Sequence, residues 1–157
     1  MATTTDQIKA AYPLPTYNYK VEIGGKTIGF SEVSGLTIHF ETTKYAESPA
    51  EGGPPGPRWM YMPAQENPAT ITLKKGVVPS VSKAVFFDWI NSIQTNVVEK
   101  RDIFVRLCDE EGAAVLSWKV INAFPTKLDG PSFSASSNDV AVESMELMAD
   151  GVRLEAA

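Results

Sequence analysis

Cysteine and histidine are almost absent from this chain of 157 residues, which contains one of each, Cys108 and His39. A single cysteine excludes an intramolecular disulfide, and the two residues together are too few for a Cys/His zinc site. Ser-His-Asp or Cys-His catalysis would depend on His39 alone, and the sequence has no G-x-S-x-G nucleophile motif. We therefore predict a protein without a metal, a cofactor or a catalytic site.

Long apolar runs and an excess of positive charge are also lacking. No apolar run approaches the roughly 20 residues of a membrane helix, and residues 1–10 lack the basic start and apolar core of a signal peptide. Lys and Arg number 14 against 19 Asp and Glu, a formal charge of −5, whereas binding to a phosphate backbone needs clustered cations. We predict a soluble protein made in the cytoplasm, with no membrane anchor and no need for nucleic acid.

The residues that are present favour a single mainly β domain over 1–157. Hydrophobic residues make up 43% of the chain, enough for one core, and no repeat or change in composition marks a boundary. A helix is predicted from Ser80 or Ser82, as N-cap, to about Gln94. Apolar alternation predicts strands near 17–23, 26–30, 36–45, 69–75, 101–108, 114–123 and 140–148. The expected fold is a β-sandwich or split barrel of seven or eight strands with one flanking helix.

Three segments interrupt this pattern. Residues 1–11 are polar and are predicted to form a flexible arm. Residues 46–58 contain four prolines and three glycines, which prevent ladder or helix formation, so we predict a long projecting loop. The cluster Trp-Met-Tyr-Met at 59–62 is either a core strand or a contact between subunits.

A few features resemble functional motifs but are interpreted as structural. Gly-Lys-Thr at 25–27 resembles the end of a phosphate-binding loop, yet Lys20 stands where the first glycine should be and a strand follows. The acidic residues at 109–111 lie at a hairpin tip, where charge maintains solubility. Cys108 at a strand end is expected to be a small buried hydrophobe. The acidic residues Asp139, Glu143 and Glu146 lack calcium-loop spacing.

Several segments in a defined order resemble the tail-tube proteins of contractile phages and extracellular contractile injection systems. The segment most similar to that family is Gly-Phe-Ser-Glu-Val-Ser-Gly-Leu at 29–36. The other matching segments are Tyr-Pro-Leu-Pro at 12–15, Ile-Thr-Leu-Lys-Lys-Gly-Val at 71–77, Asp-Trp-Ile at 88–90, Trp118 with Asn-Ala-Phe-Pro at 122–125, and 137–150. The resemblance spans about 12–153.

This resemblance implies packed β-sheets with one flanking helix, and six copies closing into a ring around a lumen. Rings would stack into an inner tube inside a contractile sheath, and no catalysis would be required. The partners it implies are further copies of the chain, the sheath protein, baseplate hub and tube terminator proteins, and protein cargo in the lumen. It also implies assembly into a phage-tail-like particle that can be released from the cell.

The segment 47–58 is longer than the corresponding loop of ordinary tube subunits, which leaves two positions open. The chain would form either the body of the tube or the first ring on the baseplate. We predict that irregular, apolar segments make the contacts between rings. The predicted contact residues are Tyr12, Glu47, Pro54, Pro55, Arg58, Trp59 and Tyr61.

Two other functions remain open at this point. A small-ligand-binding β-barrel would use Trp59, Trp118 and Phe133 to line a cavity. A secreted carrier ring related to type VI tubes would form rings without a sheath or baseplate.

Overall fold

The computed structural model describes residues 2–49, 52–95 and 97–156. The parts of the predicted domain, arm and loop at 1, 50–51, 96 and 157 lie outside the described residues. The elements in chain order are α1 (Thr5–Ala11), β1 (Tyr19–Ile23), β2 (Lys26–Ile28), β3 (Glu32–Ser34), β4 (Phe40–Glu47), β5 (Arg58–Glu66), β6 (Ala69–Gly76), α2 (79–91), β7 (Arg101–Cys108), β8 (Ala114–Asp129), β9 (Val142–Ala149) and β10 (Gly151–Ala156). The mainly β fold class is confirmed, with more strands than the seven or eight expected because several are short.

Strand β8 joins the two halves of an eight-stranded antiparallel sheet, in which seven strands follow the order β2-β1-β7-β8-β9-β6-β3 and the eighth, β10, pairs with β8. Its first part, up to Ala123, pairs with β7 and β10, and its second part, from Phe124, pairs with β9. Between them Asn122 has a φ of 52°, a left-handed conformation that asparagine tolerates better than most residues. The backbone N–H of Asn122 donates to Asp102 Oδ1 at 3.0 Å, and its amide donates to Asp150 Oδ2 at 2.8 Å. The bend is therefore fixed from both sides.

The bend brings the two halves of the sheet over one core. Strand β6 shows the alternation most clearly, because Ile71 and Leu73 are fully buried while Thr70 is exposed. Buried residues from both halves pack together: Val21, Ile23, Ile103, Val105, Val120 and Val152 face Ile71, Leu73, Met145 and Leu147. Burial of these side chains supplies the main stabilising term, at about 25 cal/mol per Å² of apolar surface.

The predicted flanking helix is present as α2 and closes the core with Phe86 and Trp89. It consists of α-helical Pro79–Val81, π-helical Ser82–Phe87 and α-helical Asp88–Asn91. The prediction of a serine N-cap is wrong, because the N-cap is Val78 and Pro79 takes the first helical position, where a missing N–H costs nothing. Instead, the Ser82 hydroxyl accepts a hydrogen bond from the backbone N–H of Val78.

The predicted strand 36–45 begins only at Phe40. Gly35 has a φ of +89°, and a Cβ at this position would lie 2.1 Å from the carbonyl oxygen of Thr70. The chain therefore turns at Gly35, next to β6, before β4 begins. This close approach gives a physical reason for a glycine within the segment 29–36.

Within the segment predicted as a flexible arm, Thr5–Ala11 forms the helix α1. Thr4 and Gln7 form a capping box: the Thr4 hydroxyl accepts from the Gln7 N–H, and the Gln7 side chain accepts from the Thr4 N–H. The pattern Thr-x-x-Gln is a helix start signal, but no apolar periodicity follows it to support a helix from sequence. No α1 residue is buried.

Gly35→Ala should destabilise the subunit by roughly 2–4 kcal/mol, because the added methyl group meets the Thr70 carbonyl and the backbone is strained. The matched control is Gly29→Ala. An added Cβ at this position has no neighbour within 4 Å, and the backbone of Gly29 is not in the left-handed conformation. Urea unfolding of both variants in the same oligomeric state measures the difference. Equal midpoints for the two variants would contradict the packing at Gly35.

Candidate assembly surface

Strands β4 and β5 form a hairpin that lies outside the main sheet. Among the described strands they pair only with each other, from Glu47 opposite Arg58 at the tip to Phe40 opposite Glu66 at the base. We call β4, the connecting segment and β5 together the hairpin, and residues 48–49 and 52–58 the tip. The predicted projecting loop is thus the end of a longer projecting element. Sequence reasoning missed its pairing, which the alternating residues on both sides of 46–58 could have suggested.

Polar contacts fix the base of the hairpin to the rest of the subunit. The backbone N–H of Asn67 donates to the His39 carbonyl at 2.8 Å, and the Asn67 amide lies 2.7 Å from His39 Nδ1 and 2.8 Å from Glu41 Oε1. Arg153 of β10 donates to both carboxylate oxygens of Glu66, at 2.8 and 3.1 Å. The hydrogen bond from Arg153 holds the pKa of the Glu66 carboxyl below its usual value. His39, the only histidine, thus lies in this base.

Large apolar side chains of the hairpin are exposed. Tyr61 is 77% exposed and Trp59 is 49% exposed, with the Lys44 ammonium 5.0 Å from the centre of the Trp59 ring. Phe40, Tyr45 and Met62 are also exposed. The core-strand interpretation of 59–62 is therefore wrong. Exposed apolar surface of this kind is typical of a site that contacts another protein.

Six of the seven predicted contact residues lie on the hairpin. Pro54, Pro55 and Arg58 are exposed at its tip, Glu47 is half-buried opposite Arg58, and Trp59 and Tyr61 follow along β5. The seventh, Tyr12, lies apart at the end of α1 and is 60% exposed. The structure thus divides the predicted contacts between two surfaces.

The second surface is formed by α1 and the turn between β7 and β8. Lys9 of α1 lies 2.8 Å from Glu110 and 3.9 Å from Glu111. The hydrogen bond between Lys9 and Glu110 raises the pKa of Lys9 and lowers the pKa of Glu110. Exposed pairs contribute little to stability because water screens them, so α1 is held weakly.

The residues proposed for a ligand-binding barrel do not share a cavity. Trp118 lines a cleft of about 330 Å³ with Tyr19, Leu36 and other apolar side chains. Trp59 lies on the hairpin, and Phe133 is 87% exposed in the segment between β8 and β9. Over 2–49, 52–95 and 97–156, no three His, Cys, Asp or Glu side chains are grouped to hold a metal ion. None of the helices described is long and apolar enough to cross a membrane.

Comparison with known proteins decides the family. The model of the T4-like virus tail tube protein gp19 family matches residues 15–153. The chain belongs to this tail-tube family. Tail-tube proteins of this kind are structural subunits of contractile injection systems, and the resemblance found in the sequence is confirmed. The comparison with curated proteins gives no match.

Solved structures from two contractile systems are similar over the whole chain. A chain of the PVC sheath–tube complex in its extended state, from an extracellular contractile injection system, is 45% identical, with a TM-score of 0.87 and coverage of 99% of this chain and 100% of that one. A chain of the anti-feeding prophage tube-terminating cap is 44% identical, with a TM-score of 0.83 and full coverage of both chains. A chain of the anti-feeding prophage baseplate is 19% identical, with a TM-score of 0.73 and coverage of 92% and 96%, which shows a common fold alone.

Acid should loosen the base of the hairpin in the unassembled subunit. Because the pKa of Glu66 is lowered in the folded state, the stabilisation from its contact with Arg153 is present at neutral pH and is lost in acid, as pH falls through that lowered pKa. Hydrogen exchange of β5 amides, measured relative to β6, should rise in that range. Glu66→Gln should show the faster exchange already at neutral pH.

The control for this measurement is Glu155→Gln on β10, the strand that contains Arg153. Glu155 is exposed and makes no ion pair with a described residue, so its neutralisation should leave β5 protection unchanged. Equal protection of β5 in Glu66→Gln and in the original chain at neutral pH would contradict the assigned role of the Arg153 contact.

Proposed function

We propose that the protein is the structural subunit of the inner tube of an extracellular contractile injection particle, with six copies per ring and rings stacked around a lumen. The observation that supports this most strongly is identity of 45% over the whole chain to a chain of a sheath–tube complex. The proposal assigns no catalytic role to any residue. It places synthesis in the cytoplasm, followed by assembly into the particle.

The edges of the sheet support the proposed ring closure. The two end strands, β2 and β3, have three residues each, and β8 is the single partner of β10 among the described strands. Unpaired edge strands expose backbone N–H and C=O groups that pair readily with another chain. Closing several copies into a barrel satisfies these groups, as in other closed sheets.

Ring stacking is assigned to the hairpin and to the surface around Tyr12. The hairpin exposes Trp59 and Tyr61, aromatic residues of the kind that dominate binding energy at interfaces. It also extends away from the core, so it can reach a neighbouring ring without disturbing its own sheet. The two surfaces correspond to the predicted contact residues.

The proposed partners are those named in the similar structures: a contractile sheath, a tube terminator and a baseplate. Protein cargo in the lumen is an additional proposed partner. We assign the chain to the body of the tube because the likeness to the baseplate chain, at 19% identity, extends only to the fold.

Replacing the exposed aromatics of the hairpin should separate ring formation from stacking. Trp59→Ser with Tyr61→Ser should still give rings, because the hairpin is outside the main sheet, but stacked tubes should be lost. Size-exclusion chromatography with light scattering measures the rings, and negative-stain electron microscopy measures the tubes.

Phe133→Ser is the matched control, since Phe133 is also a highly exposed aromatic residue but lies outside the hairpin. It should leave tube length and abundance unchanged. Normal tubes from the Trp59/Tyr61 variant would overturn the role of the hairpin. A stable monomer from the unaltered chain, alone and with its sheath and baseplate proteins, would overturn the proposed function itself.

A further inference from the structure

The second surface has the features of a receptor for the hairpin. Identical rings that stack head to tail meet through two different patches, since a patch that pairs with itself closes a dimer and stops growth. We infer that the proline-rich tip of one subunit docks into the groove between α1 and the β7–β8 turn of a subunit in the neighbouring ring. This inference rests on the proposed function and names the partner of its stacking surface.

The receiving groove is a concave apolar site of about 520 Å³, within the size range of protein binding pockets. We call it the α1 groove. Its apolar lining includes Ile8, Tyr12, Pro13, Leu14 and Val115. Tyr12 is 60% exposed and Val115 is 45% exposed, so the groove presents apolar area that remains uncovered in the single subunit.

The tip cannot be filling the groove of its own subunit in this structure. No tip residue is among the residues that line the groove. Pro49 and residues 53–58 of the tip line a separate concavity. The tip and the groove are therefore distinct patches, as head-to-tail stacking requires.

The chemistry of the tip suits this groove. Pro54, Pro55 and Pro57 present rigid apolar rings that lose little conformational entropy on docking. Apolar and aromatic grooves bind proline-rich segments for this reason. Arg58, which directly follows Pro57, makes no ion pair with any residue that the structure describes.

The rim of the groove supplies a matching negative charge. Lys9 is paired with Glu110 at 2.8 Å and lies 3.9 Å from Glu111, whose side chain is 76% exposed. The Asp109 carboxylate accepts hydrogen bonds within the turn, and Lys20 donates to the Gly112 carbonyl. Glu111 adjoins Glu110, which lines the groove, and its side chain makes the fewest contacts of the three carboxylates in the turn. We assign it to Arg58 of the docked tip.

Charge reversal tests this pairing. Arg58→Glu and Glu111→Arg, each alone, should raise the subunit concentration needed for tube formation by about tenfold, because like charges then meet at every contact between rings. The double variant should restore tubes, since the opposite charges meet again. Arg58→Glu combined with Glu155→Arg should not restore them. Tubes unaffected by either single change, or no rescue in the double variant, would overturn the inference.

Disulfide cross-linking tests the contact directly in intact tubes. In a Cys108→Ala background, Pro55→Cys with Val115→Cys should give covalent chains of more than six subunits on oxidation, because each link joins one ring to the next. Each single cysteine variant, and Pro55→Cys with Phe133→Cys, should give none. Links that stop at six subunits would place the contact within one ring and overturn the inference.

These results also separate the inference from the function on which it rests. Intact tubes without cross-links leave the proposed function standing and overturn the docking of the tip. Absence of rings and tubes from the unaltered chain overturns both.

Discussion

The bend of β8 at Asn122 is the constraint on which the rest of the subunit depends. One strand of 16 residues pairs with β7 and β10 before the bend and with β9 after it. The positive φ of Asn122 turns the strand, and Asp102 and Asp150 hold it there. Without this turn the sheet would continue as one layer, its apolar face would stay open, and β10 would not present Arg153 to the base of the hairpin.

The hairpin is the part of the chain that the core does not stabilise. A two-stranded hairpin alone is marginally stable in water, and this one adds exposed aromatic residues such as Tyr61. Its base is fixed by Asn67 and by the Glu66–Arg153 pair, whereas β4 and β5 share no ladder with the described strands of the main sheet. We propose that this element becomes buried when subunits assemble, and that its exposed apolar surface makes the contacts between rings.

The core strands could be predicted from sequence because their periodicity reflects local burial. Ile71 and Leu73 alternate with polar residues, and Trp89 follows Phe86 at helical spacing, so the pattern and the packing agree. The cluster 59–62 could not be placed in this way. Its apolar side chains are exposed in the single subunit, and composition alone cannot distinguish burial in a core from burial against a second copy.

The other differences between the predicted and the observed elements depend on contacts between residues that are distant in the chain. The early turn before β4 arises because Gly35 lies against the Thr70 carbonyl, and α1 is held through Lys9 at the β7–β8 turn. The most direct test of the account is a cryo-electron microscopy reconstruction of the assembled protein. We predict six subunits per ring, with every hairpin tip seated on a subunit of the next ring. Stacked rings whose hairpins project into solvent would contradict it.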